Sequence, residues 1–195
     1  MTRHRAHPPL AALLALIWAA GCTAPTVAPD TAELRNIRDS NIVPKSPPAR
    51  LASTFAAVCL DGPADRDAAA AALRAMDYVE WPGAGDGMRS FVVDDSRPAV
   101  MLDGAGRACA VAAQARTGQT ERLRRLIADR FPAARALSPP PGTSEAWATG
   151  DGGLIALRRT APPGRPAELL VLWLRPGAGG ATGTNPLGPA RPGSL

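Results

Sequence analysis

Residues 169–174 read LLVLWL, six consecutive apolar side chains bounded by Glu168 and by Arg175-Pro176-Gly177. The run is too short for an ordinary helix. In a strand, alternation sends half of its side chains to each face, so both faces must be covered. This segment therefore belongs at the centre of a sheet. Working backwards, 145–149 and 154–159 carry companion strands joined by the turn GDGG at 150–153. Four more strands are expected at 78–81, 88–93, 99–103 and 107–113, the last two linked by Gly104-Ala105-Gly106.

Three helices accompany these strands. Ser46 caps the first, with Pro47 at its first position and an end near Leu60. The second spans 64–76; Ala69, Ala72, Leu73 and Met76 form its apolar stripe, and Asp65 and Asp67 suit its first turn. The third, 119–130, buries Leu123, Leu126, Ile127 and Phe131. The expected class is α+β: a single small domain with helices packed on a mostly antiparallel sheet and one disulfide. A helix followed by several strands occurs before Ala115 and again after it, without a residue-level repeat.

The flanks are of another character. Residues 22–45 are polar and proline-containing with no sustained period, and read as a flexible tether. Residues 176–195 are dominated by Gly, Pro, Ala and Thr and are expected to be disordered. Between them, 46–175 is long enough for one core of normal size.

Residues 1–21 read as a targeting segment: Arg3 and Arg5 precede an apolar run from Leu10 to Ala20. That run suits a secretory signal and falls short of the roughly 20 residues a spanning helix needs. Its ending, Ala19-Ala20-Gly21-Cys22, resembles the lipobox of bacterial lipoproteins, with Ala19 where Leu is usual. The resemblance covers only these four residues and the segment before them. It implies cleavage before Cys22 and lipidation of that cysteine with diacylglyceryl and acyl groups such as palmitate. It further implies a membrane partner and a periplasm-facing place in the cell envelope. Thr23 is not the Asp that resembles an inner-membrane retention signal, which favours the outer membrane and leaves the inner open.

The chain has three cysteines, Cys22, Cys59 and Cys109. If Cys22 carries lipid, an even pair remains in an oxidising compartment, and a Cys59–Cys109 disulfide follows. No C-x-x-C motif points to redox work.

Missing residue types exclude much chemistry. His4 and His7 both lie in the targeting segment, so the mature chain lacks the imidazole of Ser-His-Asp and Cys-His sites and the commonest metal ligand. The one lysine, Lys45, lies outside the domain, and no phosphate-loop motif occurs. With two cysteines and no histidine, a typical zinc site cannot be assembled; no metal and no cofactor are expected. Of 22 Lys and Arg, Arg3 and Arg5 leave with the signal; the remaining 20 face 17 Asp and Glu, a net +3. The densest basic patch, Arg122, Arg124, Arg125 and Arg130, is interspersed with Glu121 and Asp129 and reads as a solvated face, so no nucleic-acid partner is expected.

Carboxylates are what remain for catalysis. Asp94 and Asp95 end a strand, Asp103 opens a turn, and Glu80 and Asp86 flank the Trp81 loop. Two carboxyl groups suffice for glycoside hydrolysis when they stand about 5–10 Å apart with unequal pKa values. A carboxylate-dependent hydrolase acting on envelope glycans is therefore one reading, with Trp81 stacking on a sugar. Asp at strand ends is also ordinary turn chemistry. Calcium binding by Asp94, Asp95 and Asp103 fails on spacing. The reading taken forward is a non-catalytic, membrane-anchored module that presents a surface to an envelope protein partner.

Overall fold

In the computed structural model, which describes residues 43–81, 87–103, 105–161 and 163–177, the LLVLWL segment lies at the centre of the sheet. The eight strands are β1 (Val79–Trp81), β2 (Met88–Val92), β3 (Ala99–Asp103), β4 (Ala108–Gln114), β5 (Arg135–Leu137), β6 (Glu145–Ala148), β7 (Leu154–Thr160) and β8 (Glu168–Leu174). They form one sheet in the order β1-β2-β3-β4-β8-β7-β6-β5, and every pairing is antiparallel. The order mirrors itself about β4 and β8. Two four-stranded meanders, each preceded by a helix, meet along a seven-pair ladder with Val111 opposite Val171 at its middle. The helix-then-strands series on each side of Ala115 is thus a symmetry of topology.

The three described helices lie on one face. α1 (Pro48–Thr54) continues as a wide π turn (Phe55–Leu60), closed by Asp61 N–H donating to the Ala56 carbonyl at 2.9 Å. α2 is Arg66–Ala75 and α3 is Gln119–Arg130. Leu51 and Phe55 of α1, Leu73 of α2, and Leu123 and Ile127 of α3 are buried in one core with the inward side chains of the sheet; α1 packs on β4, α2 on β1 and β3, and α3 on α1. Fully burying each such side chain is worth about 1.5–3 kcal/mol. Cys59 on the π turn and Cys109 on β4 are joined by a disulfide, with their Cα atoms 5.4 Å apart. The bridge fastens the helical layer to the central ladder.

Local chemistry explains where the helices start and stop, and it corrects three expectations. Ser46 is not the first cap. Pro47 is extended (φ −60°, ψ 150°) because a residue preceding proline is pushed out of the helical region, so α1 begins at Pro48. Ser46 is buried instead, and its hydroxyl has no hydrogen-bond partner among the described residues. In α2, Asp65 is the cap and accepts from Ala68 N–H at 2.8 Å. The helix ends one residue before Met76, where Asp77 takes a left-handed turn (φ 65°); Met76 points outward and is 41% exposed, outside the buried stripe of Ala69, Ala70 and Leu73. Finally, β5 was not among the expected strands. All three of its residues are exposed and prolines follow at 139–141, so it carries no burial pattern.

α3 agrees residue for residue with its expected span. Gly118 caps it with φ 88°, and the buried Gln119 staples the approach: its carbonyl accepts from Arg116 N–H at 2.7 Å and its amide donates to the Gln114 carbonyl at 3.0 Å. The 150–153 turn is present, with Gly152 N–H bonded to the Thr149 carbonyl at 3.0 Å. Cys22, Asp86, Gly104 and residues 178–195 lie outside the described residues, as does all of the expected tether before Val43.

Two stability predictions follow from this packing. Replacing both cysteines (Cys59→Ala with Cys109→Ala) reopens a 50-residue separation, which the loop-entropy account values at about 4 kcal/mol. Urea unfolding of that variant, and of the wild type in reductant, should show matching losses; a loss below about 1 kcal/mol would contradict this. A Cβ on Gly153 would stand 2.2 Å from Cη2 of the buried Trp173, which also packs on Phe131 at 5.5 Å between ring centroids. Gly153→Ala should therefore cost about 1–3 kcal/mol, read by urea titration of tryptophan fluorescence.

Candidate functional site

The sheet separates the carboxylates that the sequence places close together. Glu80 is paired with Phe91, so its side chain lies on the helix-bearing face at the β1 edge. Asp103 alternates with the inward Leu102 and lies on the opposite face. Asp94 and Asp95 occupy the β2–β3 turn, whereas Asp103 stands at the far end of β3. None of these carboxyl groups shares a hydrogen-bond or ion-pair partner with another of the set. No cluster of three metal-ligating side chains is assembled among the described residues.

Each carboxylate serves its own neighbourhood. Glu80 accepts from Arg89 through both oxygens (2.6 and 2.7 Å) and from Arg74 at 2.6 Å. The Arg89 hydrogen bonds hold its carboxyl below the usual range, against the opposing effect of partial burial. Arg89 also reaches Asp67 at 2.9 Å and lies 5.5 Å from the centre of the Phe91 ring. Its side chain is only 13% exposed, so it acts as a clamp between α2 and the β1–β2 edge. Asp94 accepts from Ser96 Oγ and N–H, both at 2.7 Å, and from Arg97 N–H at 3.0 Å. Those bonds, with the Ser96 hydroxyl foremost, lower its pKa to about 2. Asp103 accepts from Ala105 N–H at 2.6 Å and faces Arg107 at 3.8 Å. Asp95 is exposed beside the turn. This is turn and edge chemistry, with the acceptors of Glu80, Asp94 and Asp103 occupied.

Three of the four arginines in the α3 patch are likewise ion-paired. Arg124 grips Glu145 of β6 at 2.6 and 2.9 Å and faces Glu121, Arg125 also faces Glu121, and Arg130 pairs with Asp61. The helix face is ion-paired to neighbouring elements.

Two shallow surface grooves offer contact area that the sequence reading missed. One, of about 380 Å³, runs beside the β5–β6 edge and is lined by Leu137, Pro139, Trp147 and the Arg124–Glu145 pair. The other, of about 400 Å³, lies between α1 and the turn after α2, with Met76, Tyr78, Arg50 and Arg97 on its walls. Met76 and Leu137 are exposed large hydrophobic residues, at 41% and 43%, one on each groove. Their exposure depends on where α2 stops and on the existence of β5, the two local features that periodicity does not report.

The Asp94 turn predicts a pH response. Its folded pKa is depressed, so its contribution to stability is complete above the ordinary value of 3.8 and is lost as the pH falls towards about 2. The side chain is 46% exposed, so solvent screening keeps the effect modest. Urea midpoints should fall between pH 4 and 2, and Asp94→Asn should flatten part of that slope; an unchanged slope would show that the turn bonds do not act through ionisation. The chain matches no protein-family model, no curated protein and no solved structure.

Proposed function

We propose that this chain is a membrane-anchored envelope lipoprotein, held by lipid on Cys22, whose α+β domain is a non-catalytic interaction or accessory module facing the periplasm. The observation that carries the reading is the disulfide. Cys59 and Cys109 are joined to each other, which leaves Cys22 as the one unpaired cysteine of three, directly behind the apolar run 10–20. Structural disulfides persist in oxidising compartments such as the periplasm. Several acyl chains on one residue give stable membrane attachment where one chain gives only reversible binding.

The domain's surface chemistry supports a binding role over a hydrolytic one. The carboxylates that would have to converge on a sugar are divided between two faces and two ends of the sheet, and most are occupied by local donors. The grooves that carry Leu137 with Trp147, and Met76 with Tyr78, are open and partly apolar, as a contact surface for an envelope protein would be.

Intact mass of the protein, extracted in detergent from its native membrane, tests this reading. The expected species begins at Cys22 and carries diacylglyceryl and acyl groups; reduction adds 2 mass units for the Cys59–Cys109 bridge, on the ~1 Da of each hydrogen gained. Cys22→Ser should move the protein from the membrane to the soluble fraction. An unlipidated mature chain, or membrane retention of the serine variant, would overturn the anchor.

A further inference from the structure

The charged side chains of the domain are unevenly divided between the two ends of the sheet. Antiparallel pairing puts Gln114, Glu168 and Thr160 side by side, where β4 ends, β8 begins and β7 ends. Two further bonds close this end. Gln114 N–H donates to the Pro44 carbonyl and Ala115 N–H to the Ala167 carbonyl, both at 2.7 Å. Four cations stand within two residues of these bonded positions. Lys45 adjoins Pro44, Arg116 adjoins Ala115, Arg159 adjoins Thr160, and Arg165 lies two residues before Ala167. All four are exposed, and none enters an ion pair among the described residues.

The acids at this end do not offset them. Glu168 is half-buried and already has Arg158 as its electrostatic partner. Asp94, on the β2–β3 turn, pairs with Arg97, and Asp77 shares the α1–α2 groove with Arg50. On α3, which starts here, Glu121 faces Arg124 and Arg125. That leaves Asp95 against the four. At the opposite end the charges cancel among the described residues. Asp61 pairs with Arg130 and Asp103 faces Arg107. Asp65, Asp129 and Asp151 are equalled in number by Arg66, Arg135 and Arg175.

The positive end is also the end at which the chain joins the domain. Val43 is the first described residue, and residues 23–42 connect Cys22 to it and to no other part of the sheet.

We propose that this end of the domain is a contact surface for anionic lipid headgroups, with Lys45, Arg116, Arg159 and Arg165 as its cations. The proposal rests on the lipoprotein reading, because lipid on Cys22 is what brings the membrane within reach. A basic patch beside a lipid anchor is a second attachment signal. Each Lys or Arg held at an anionic surface gains about fivefold in partitioning. In a chain already anchored, that gain sets orientation: the strands stand on end, and the β3–β4 and β6–β7 turns point away from the membrane.

Lys45, the one lysine of the chain, is the reporter. The full lipidated chain is added to preformed vesicles of phosphatidylcholine, alone or with phosphatidylglycerol as the minor lipid. Acylation of Lys45 by a water-soluble amine reagent is then timed by peptide mass. Labelling should be about fivefold slower or more on the anionic vesicles at low salt. The difference should vanish in about 1 M salt, where the screening length is about 3 Å. The triple variant Arg116→Gln, Arg159→Gln, Arg165→Gln keeps Lys45 and should label at one rate on both vesicles. Equal rates for the wild type would overturn the proposal, as would protection that salt does not remove. Slowing that persists in the triple variant would overturn it too, because surface potential alone slows any amine near an anionic membrane. An acidic protein at this end, the rival occupant, would protect Lys45 in native membranes and not in vesicles, with the same consequence. Flotation separates this result from the anchor. A lipidated chain floats with phosphatidylcholine vesicles; an unlipidated one floats only with the anionic vesicles if the patch binds, and with neither if it does not.

Discussion

The β4–β8 ladder is the constraint on which the other contacts depend. Seven antiparallel pairs join the two meanders, and without them each half would be a four-stranded sheet with an open edge. The inward residues of the ladder, Val111 and Val171 among them, form the floor on which α1 rests, and α3 packs against α1 in turn. The disulfide is attached to the same place, because Cys109 sits two residues from Val111 on β4. Trp173 near the other end of the ladder needs the bare backbone of Gly153 beside it. Cross-link, core and close approach thus converge on two strands.

This arrangement explains why the ladder could be read from sequence. A run such as LLVLWL, apolar on both faces, has few stable positions other than the centre of a sheet. β4 is its match in pattern although not in size: ACAVAAQ, with alanines on the face away from the helices. α3 was legible to the residue because Gly118 sets its start and its apolar positions keep a helical period. The cysteine pairing followed from an odd count together with the anchor reading, and the fold places both partners in the core.

What escaped the reading escaped for definable reasons. β5 is exposed on all three residues and ends before a run of prolines, so neither alternation nor burial marks it. Ser46 looks like a cap, but two consecutive prolines follow, and Pro48 restrains Pro47 to extended backbone. The candidate site suffered from a deeper difficulty. Glu80, Asp94 and Asp103 are near one another in the chain, and only the register decides that Glu80 and Asp103 fall on opposite faces. Register is a property of paired strands, and a single strand's composition does not contain it. Nor does composition reveal that Arg89 closes on both oxygens of Glu80.

A sheet apolar on both sides sets a condition that the three described helices do not meet. α1, α2 and α3 all pack on one face, and the Ala/Leu cluster on the other is nonetheless buried. The alanines of β4 and Ala156 of β7 make that second face low along its middle, with the β8 leucines standing above it. Pro44 meets the β4–β8 ladder at the Gln114 end, and Gly177 follows β8 at the other.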